Sequence, residues 1–244
     1  YKTIAMVKLT LVRHGETEEN VSGILQGRMP GTLTEKGWRQ IAALRDTLAA
    51  QPTPFDLMLT SPLLRAVQTA NALNASLHLP LQEAPLLQER DWGELTGRPV
   101  AEVRALKEMP GSVETVGAMF LRAHAFLKQV LAECDGKCVL AVTHGLFARC
   151  LQAAFYGVTI REIPPMENTA WLITLSTLSN HGSPTPALRP QTAVWVMPPT
   201  LSFCSLACRI SRLIASPASS SSTGKAAFCS AAMSRAASSN GRSH

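Results

Sequence analysis

Short apolar runs and longer amphipathic segments follow one another along the first 175 residues of the chain. The apolar runs at about 7–12, 55–60 and 138–142 predict buried strands. Between the first two runs, apolar residues three or four positions apart predict a helix that begins after Thr34 and buries Trp38, Ile41, Ala42, Leu44, Leu48 and Ala49. Strands that alternate with helices predict an α/β fold, with three α/β/α layers around a mostly parallel sheet.

Further helices and a last strand extend this pattern. Ser61 and Pro62 directly follow the second strand and predict a helix with a serine cap, whose buried residues would be Leu63, Leu64, Val67, Ala70, Leu73 and Leu77. Apolar spacing also predicts helices over about 112–134 and 146–155, and a last strand over about 169–175.

Two stretches contain too many turn-forming residues for regular structure and predict loops. Residues 15–31 contain several glycines together with Asn20 and Gln26, and residues 86–97 contain two glycines and a cluster of charges. In the second loop, Trp92 fits either the mouth of a site or the edge of the core. The first loop follows the strand at 7–12, and the second follows a third, short strand predicted at about 79–81, so we expect both loops to bear on the choice of substrate.

Basic and imidazole side chains follow the predicted strands. Arg13 and His14 come after the first strand, Arg65 lies in the first turn of the helix after the second, and His144 ends the strand at 138–142. In parallel sheets, ligands bind at the carboxyl ends of the strands, so these side chains should gather there. A cation at a helix N-terminus opposes the helix dipole, and such local conflicts are typical of functional sites.

This set of side chains suits a phosphate monoester. A neutral imidazole such as His14 can attack phosphorus and form a phosphohistidine. The guanidinium groups of Arg13 and Arg65 would neutralise the phosphoryl oxygens, and a protonated His144 would add charge. Gly145 would let the next helix begin at once, so that its N–H groups also face the anion.

The leaving alkoxide needs a proton donor, and the loop at 86–97 contains three acidic residues. We favour Glu89 as this general acid over Asp91 and Glu94. No cluster of acidic residues accompanies the site, and the six cysteines show no zinc-ligand spacing. We therefore expect no metal and no other cofactor.

Four segments in this order resemble the signature blocks of the histidine phosphatase superfamily, whose fold is the phosphoglycerate-mutase-like fold. They are LVRHGETEEN, SPLLRAVQTA, LLQERDWGELTG and VTHG, and the resemblance covers about residues 6–175. It implies that His14 is the phosphorylated nucleophile and Glu89 the proton donor. It further implies a phosphate pocket of Arg13, Arg65 and His144, with Asn20, Gln26 and Gly27 in contact with substrate or phosphate.

Within the superfamily, the chain is most similar to the α-ribazole phosphatase and broad-specificity phosphatase branch. The short interval between Glu89 and His144 lacks the longer insertion of the phosphoglycerate mutases and favours a phosphatase. The loop at 27–34 departs from the family in lacking the Asp often found before Leu33 and Thr34. A mutase, a fructose-bisphosphatase-like enzyme with further cations at the mouth, and a non-catalytic binding protein remain alternatives.

The last part of the chain differs in composition. We expect residues 1–175 to form the phosphatase domain and residues 176–244, rich in Ser, Ala and Pro, to be a disordered basic tail. All 17 acidic residues precede this tail, and its scattered Lys and Arg account for the net charge of +6. We therefore expect a small phosphorylated metabolite as partner and no nucleic acid, and the sequence leaves the oligomeric state open, a homodimer included. No signal peptide or membrane-length apolar run is visible, which favours the cytoplasm and no membrane partner.

Overall fold

The computed structural model describes residues 5–50, 55–178 and 193–194. Its strands form one sheet in the order β3-β2-β4-β1-β5-β6 and comprise β1 (Ala5–Arg13), β2 (Leu57–Thr60), β3 (Leu81–Glu83), β4 (Cys138–Thr143), β5 (Trp171–Leu178) and β6 (Ala193–Val194). Strands β3, β2, β4 and β1 are parallel to one another, whereas β5 is antiparallel to β1 and β6 is antiparallel to β5. The expected mostly parallel sheet is therefore confirmed.

Helices cover both faces of this sheet. They are α1 (Glu18–Val21), α2 (Glu35–Ala49), α3 (Leu64–Leu77), α4 (Val100–Ala105), α5 (Val116–Glu133) and α6 (Gly145–Tyr156). Two short 3₁₀ turns, Pro85–Leu87 and Gly93–Leu95, interrupt the predicted loop at 86–97. The predicted loop at 15–31 likewise contains α1, which Thr17 and Asn20 cap reciprocally.

Alternation along β4 explains the three layers. Val139 and Ala141 belong to the core that α5 and α6 complete, whereas Leu140 and Val142 belong to the core that α2 and α3 complete. All four side chains are fully buried, because both faces of the strand are covered. This continuous apolar run is the pattern from which the α/β/α arrangement was predicted, and the fold class is confirmed.

The predicted burial of Trp38 is wrong. Its side chain is 43% exposed, and the buried side of α2 consists of Gly37, Ile41, Leu44 and Leu48. Gly37 takes the inward position because the helix packs against the backbone of Glu16. A Cβ at Gly37 would lie 2.2 Å from the Glu16 carbonyl oxygen.

The predicted serine cap is also wrong. Helix α3 begins at Leu64, and the residue before it, Leu63, has no side chain that could cap the helix. Leu64 itself is 47% exposed. The buried face of the helix consists of Arg65, Ala66, Thr69, Ala70 and Leu73. The Ser61 hydroxyl accepts the Leu63 N–H at 3.4 Å, before the helix begins, and lies 2.7 Å from Nε2 of His144, which follows the neighbouring strand β4.

The sheet continues beyond the predicted domain boundary at residue 175. Strand β5 ends at Leu178, and β6 pairs with it. The rest of the predicted tail lies outside the described residues, so its disorder stays a prediction. None of the described helices has the length and apolar character needed to cross a bilayer.

Candidate active site

The register of β1 and β4 brings the two site histidines together. Arg13 is paired with Thr143 across the parallel ladder, so His14 and His144 both follow at the carboxyl end of the sheet. The His14 N–H donates to the Thr143 carbonyl oxygen at 3.0 Å, and the two imidazole rings lie 5.2 Å apart. The spatial gathering expected from the strand ends is therefore present.

Two hydrogen bonds fix the tautomer of His14. Its Nδ1 lies 2.8 Å from the Gly15 carbonyl oxygen, which can only accept, so Nδ1 is protonated. Its Nε2 lies 3.2 Å from Nε of Arg65, which can only donate, so Nε2 keeps its lone pair. The ring therefore presents Nε2 as a base or nucleophile next to a guanidinium.

The electrostatic surroundings keep both imidazoles neutral. Burial, followed by the positive charges of Arg65 and Arg13, holds the pKa of His14 well below its ordinary value. Burial and Arg65 likewise lower the pKa of His144, which is fully buried. Our expectation of a protonated His144 is therefore wrong for the protein alone, because burial and neighbouring cations both oppose a second positive charge.

Arg65 lies in the interior, with 1% of its surface exposed. Besides its bond to His14, it donates from Nη1 to the Met29 carbonyl and from Nη2 to the Gly27 carbonyl at 2.8 Å. Burial lowers the pKa of Arg65 to about 10, while the negative charge of Glu89 opposes this shift. The guanidinium is still protonated at neutral pH, and the loop around Gly27 folds over it.

Arg13 lies on the other side of His14, against the start of α6. Its Nη1 donates to the Met166 carbonyl oxygen at 2.6 Å, and its buried Nε has no hydrogen-bond partner among the described residues. A Cβ on Gly145 would approach this Nε to 3.1 Å, so glycine allows the guanidinium to pack here. Burial lowers the pKa of Arg13, and Glu89 acts in the opposite direction.

Glu89 lies at the N-terminus of α6. Its two carboxylate oxygens accept hydrogen bonds from the N–H groups of Leu146, at 3.2 Å, and Phe147, at 3.1 Å. We expected the first N–H groups of this helix to face the anion, but two of them bind Glu89 instead. An acidic side chain is favourable at a helix N-terminus, which accounts for this arrangement.

The two other acidic residues of the same loop are engaged elsewhere. Asp91 accepts a hydrogen bond from the Gly93 N–H and forms a surface ion pair with Arg28. Glu94 accepts a hydrogen bond from the Ser112 hydroxyl. Of the three acidic residues, Glu89 alone lines the cavity beside His14.

The loop residues Asn20 and Gln26 also border the site. The Gln26 amide donates to the Thr17 hydroxyl at 2.7 Å, and its carbonyl oxygen is buried without a partner among the described residues. The side-chain oxygen Oδ1 of Asn20 accepts from the side-chain amide of Asn168, which also donates to the backbone carbonyl oxygen of His14 at 3.1 Å. The segment around Asn168, which precedes β5, therefore holds both the loop and the histidine.

A cavity of about 300 Å³ opens onto these groups. The predicted site residues that line it are Arg13, His14, Asn20, Gln26, Gly27, Arg65, Glu89 and Gly145, whereas His144 is buried next to His14. The wall also includes residues that we did not predict, namely Leu25, Val100, Arg104, Leu146, Arg149, Pro165 and Met166. Trp92 meets both of its alternatives, because it lines the wall and also packs against the small buried cluster of Leu95, Val103 and Val113.

The unpredicted residues had weak or misleading signals in the sequence. Ser61 matched a helix cap, and Met166 acts through its backbone carbonyl, which no side-chain pattern reveals. Arg104 lies on α4 and Arg149 on α6, and nothing in the sequence distinguishes either from a solvated cation. Among the described residues, no three His, Cys, Asp or Glu side chains form a group that could hold a metal ion.

Comparison with known proteins agrees with this geometry. The family model of the histidine phosphatase superfamily, branch 1, matches residues 9–183. The uncharacterized phosphatase PhoE of Bacillus subtilis is 33% identical over 156 residues, which cover 62% of this chain and 79% of PhoE. A 2,3-bisphosphoglycerate-dependent phosphoglycerate mutase of Rhizobium etli is 31% identical over 182 residues, 67% of this chain and 87% of the mutase.

Solved structures show the same fold. The α-ribazole phosphatase of Shigella flexneri superimposes with a TM-score of 0.61 at 26% sequence identity, over 68% of this chain and 89% of that protein. Similar proteins thus include both phosphatases and mutases, with a common fold and different reactions.

Proposed function

The chain belongs to branch 1 of the histidine phosphatase superfamily, and from this premise we propose that it hydrolyses a small phosphomonoester through a phosphohistidine on His14. The observation that supports this most directly is the tautomer of His14, whose Nε2 lone pair lies beside Arg65. A neutral imidazole in this form is ready to attack phosphorus without prior loss of a proton.

In the first step, His14 Nε2 forms a bond to phosphorus while the bond from phosphorus to the leaving oxygen breaks. Arg13 and Arg65 lie on the same cavity wall and would stabilise the negative charge on the phosphoryl oxygens. Glu89 in its acid form would give its proton to the leaving alkoxide. In the second step, the Glu89 carboxylate takes a proton from water as the water oxygen attacks phosphorus, and His14 is released.

We favour hydrolysis over phosphoryl transfer between two positions of one substrate. The short interval between Glu89 and His144 contains only α4 and α5 as helices and no long insertion that would close over a bisphosphorylated sugar acid. The mutase among the relatives keeps that reaction as the alternative. A non-catalytic binding protein is the second alternative, and the fixed tautomer of His14 argues against it.

Two further arginines bear on the substrate. Arg104 and Arg149 line the same cavity as Arg13 and Arg65, and Glu89 is the only carboxylate among the lining residues of the described chain. This excess of positive charge favours a metabolite with a second acidic group over a simple alkyl phosphate.

The test is a phosphatase assay with p-nitrophenyl phosphate in the presence of EDTA, followed by a panel of phosphomonoesters that includes 3-phosphoglycerate, α-ribazole phosphate and fructose bisphosphates. We expect release of inorganic phosphate that chelation does not reduce, and an acid-labile phosphoenzyme after rapid quenching in alkali. Loss of activity on chelation would contradict the mechanism. Isomerisation of 3-phosphoglycerate with a bisphosphate primer would favour the mutase, and binding without turnover the non-catalytic protein.

A further inference from the structure

A largely buried ion pair outside the cavity joins α5 to the segment that contains Glu89. Arg122 on α5 donates from Nε to Oε1 of Glu114 at 3.0 Å and from Nη2 to Oε2 at 2.8 Å. The two side chains are only 13% and 12% exposed. The pair is therefore bidentate and largely removed from solvent, unlike the ion pairs of the surface helices.

Arg122 also binds the backbone on the N-terminal side of Glu89 and at Glu89 itself. Its Nη1 donates to the carbonyl oxygens of Leu86, at 3.0 Å, and Gln88, and its Nη2 approaches the Glu89 carbonyl to 3.5 Å. One guanidinium thus contacts three carbonyl groups of the chain that leads into the candidate general acid.

Glu114 binds the backbone on the other side of Glu89. Its Oε2 accepts the N–H of Asp91 at 3.1 Å, and its carbonyl oxygen accepts Nε of Arg90 at 2.7 Å. Arg122 and Glu114 together therefore hold the chain both before and after Glu89.

The same ion pair reaches the helix that holds the Glu89 carboxylate. The Arg122 guanidinium carbon lies 4.0 Å from the centre of the Phe147 ring, and the Phe147 N–H donates to Oε1 of Glu89. One guanidinium thus contacts both the backbone of Glu89 and Phe147, whose N–H binds the Glu89 carboxylate.

We propose that Arg122, together with Glu114, is a positioning residue for the general acid Glu89. This inference rests on the proposed function, in which Glu89 protonates the leaving group. Proton transfer requires a donor within hydrogen-bond reach of the leaving oxygen, so the chain around Glu89 must be fixed. Arg122 is absent from the cavity lining among the described residues and acts only through this chain.

The leaving group provides a readout that a purely structural role would not move. An alkyl phosphate releases a strongly basic alkoxide and depends on the general acid, whereas p-nitrophenyl phosphate releases a stable phenolate and depends on it little. Misplacement of Glu89 should therefore reduce kcat/KM for alkyl phosphates selectively, because kcat/KM reports the cleavage of the substrate and not the later hydrolysis of the phosphohistidine, in which Glu89 acts as base for every substrate. A general loss of folded protein or of phosphate binding would reduce both rates equally.

The experiment measures kcat and KM of Arg122→Lys, Arg122→Gln and Glu114→Gln on 3-phosphoglycerate, or the best alkyl substrate of the panel, and on p-nitrophenyl phosphate. We expect kcat/KM on the alkyl substrate to fall about tenfold or more, and kcat/KM on the aryl substrate to fall about threefold or less. Glu114→Gln keeps Arg122 and serves where Arg122→Gln does not fold. Arg39→Gln, which removes an exposed ion pair with Glu35 on α2, is the control and should match the wild type.

A double-mutant comparison completes the test. In the Glu89→Gln background, Arg122→Lys should cause no further selective loss, because the proton donor is already absent. Equal losses on both substrates, or an undiminished Arg122 effect without Glu89, would overturn the inference. If the wild type does not hydrolyse phosphomonoesters at all, or Glu89→Gln shows no leaving-group dependence, the proposed function itself fails first.

Discussion

The floor and the side of the cavity are built in different ways. On the floor, backbone pairing between β1 and β4 sets the positions of His14 and His144, and both side chains are at most 3% exposed. On the side, the segment from Gln88 to Trp92 is half-buried, belongs to no helix or strand, and is held by side chains such as Arg122. A change in register of the buried strands would disrupt both cores, whereas single substitutions can reshape the side.

This difference separates the two histidines from the candidate general acid. His14 and His144 are inseparable from the fold, because the strand ends place them. Glu89 lies on a segment whose geometry depends on a few polar contacts. The comparison can be broken or sharpened by substitutions that act on one region and spare the other.

Substitution of the nucleophile on the floor should have the largest effect. We expect His14→Ala to lower turnover of p-nitrophenyl phosphate on the order of 10³-fold or more, because the covalent route is lost. Acid-labile labelling by a radioactive substrate should disappear with it. His124→Ala, which alters an exposed histidine on α5, should match the wild type. Activity of His14→Ala within tenfold of the wild type would remove His14 from its role.

The floor should also make stability depend on pH. Burial lowers the pKa of both His14 and His144 below the ordinary 6.5. At a pH between the lowered pKa and 6.5, the unfolded chain therefore binds more protons than the folded one. The contribution of the two neutral histidines to stability is therefore fully present above pH 6.5. Below that pH the free energy of unfolding falls, by at most about 1.4 kcal/mol per pH unit for each histidine. Urea denaturation at several pH values measures this slope.

The control for this slope is again His124→Ala, which should leave it unchanged. His144→Asn should reduce the slope, because one of the two buried imidazoles is gone. A slope that is the same in His144→Asn as in the wild type would mean that other groups cause the acid sensitivity.

A smaller effect is expected from Ser61→Ala, which removes the hydrogen-bond partner of His144 without touching the cavity. We expect kcat to fall about tenfold, because the loss of this hydrogen bond frees the orientation of the buried His144 ring beside His14. Steady-state kinetics with p-nitrophenyl phosphate measures the change. Ser112→Ala, which removes an exposed serine bonded to Glu94, is the matched control and should have no effect.

The smallest effect is expected on the side, at Asp91. Asp91→Asn breaks a surface ion pair with Arg28, and such pairs contribute about 0–1 kcal/mol, so kcat on an alkyl phosphate should stay within about threefold. Glu89→Gln should lose about 10²-fold or more on the same substrate. If Asp91→Asn were the more damaging of the two, the assignment of the general acid would pass to Asp91.

The sequence predicted the floor well because local patterns determine it. The apolar run at 138–142 indicated a strand covered on both faces, and the histidine directly after it had to lie at the carboxyl end. Trp38 was misplaced because periodicity alone could not reveal that α2 packs so closely on Glu16 that glycine must face inward. The role of Ser61 was predicted wrongly because a serine hydroxyl suits both a helix cap and a hydrogen bond to a histidine at the end of the neighbouring strand.

The side of the cavity was less predictable because it depends on contacts between distant residues. Glu89 could be singled out among three acidic residues only through the resemblance and its place in the loop. Its support by Arg122, 33 positions away along the chain, leaves no local signal. The same holds for the N–H groups of α6, which bind Glu89 rather than facing the anion as we expected.

The position of β1 in the sheet has a consequence for how the protein is made. This strand bears Arg13 and is followed by His14, yet both of its neighbours, β4 and β5, come from residues after 137. On the ribosome, β1 emerges before both of these strands and must therefore wait with both edges unpaired until they have been translated. The peptide that would perform the chemistry is inert, and open to wrong pairing, until β4 and β5 enclose it.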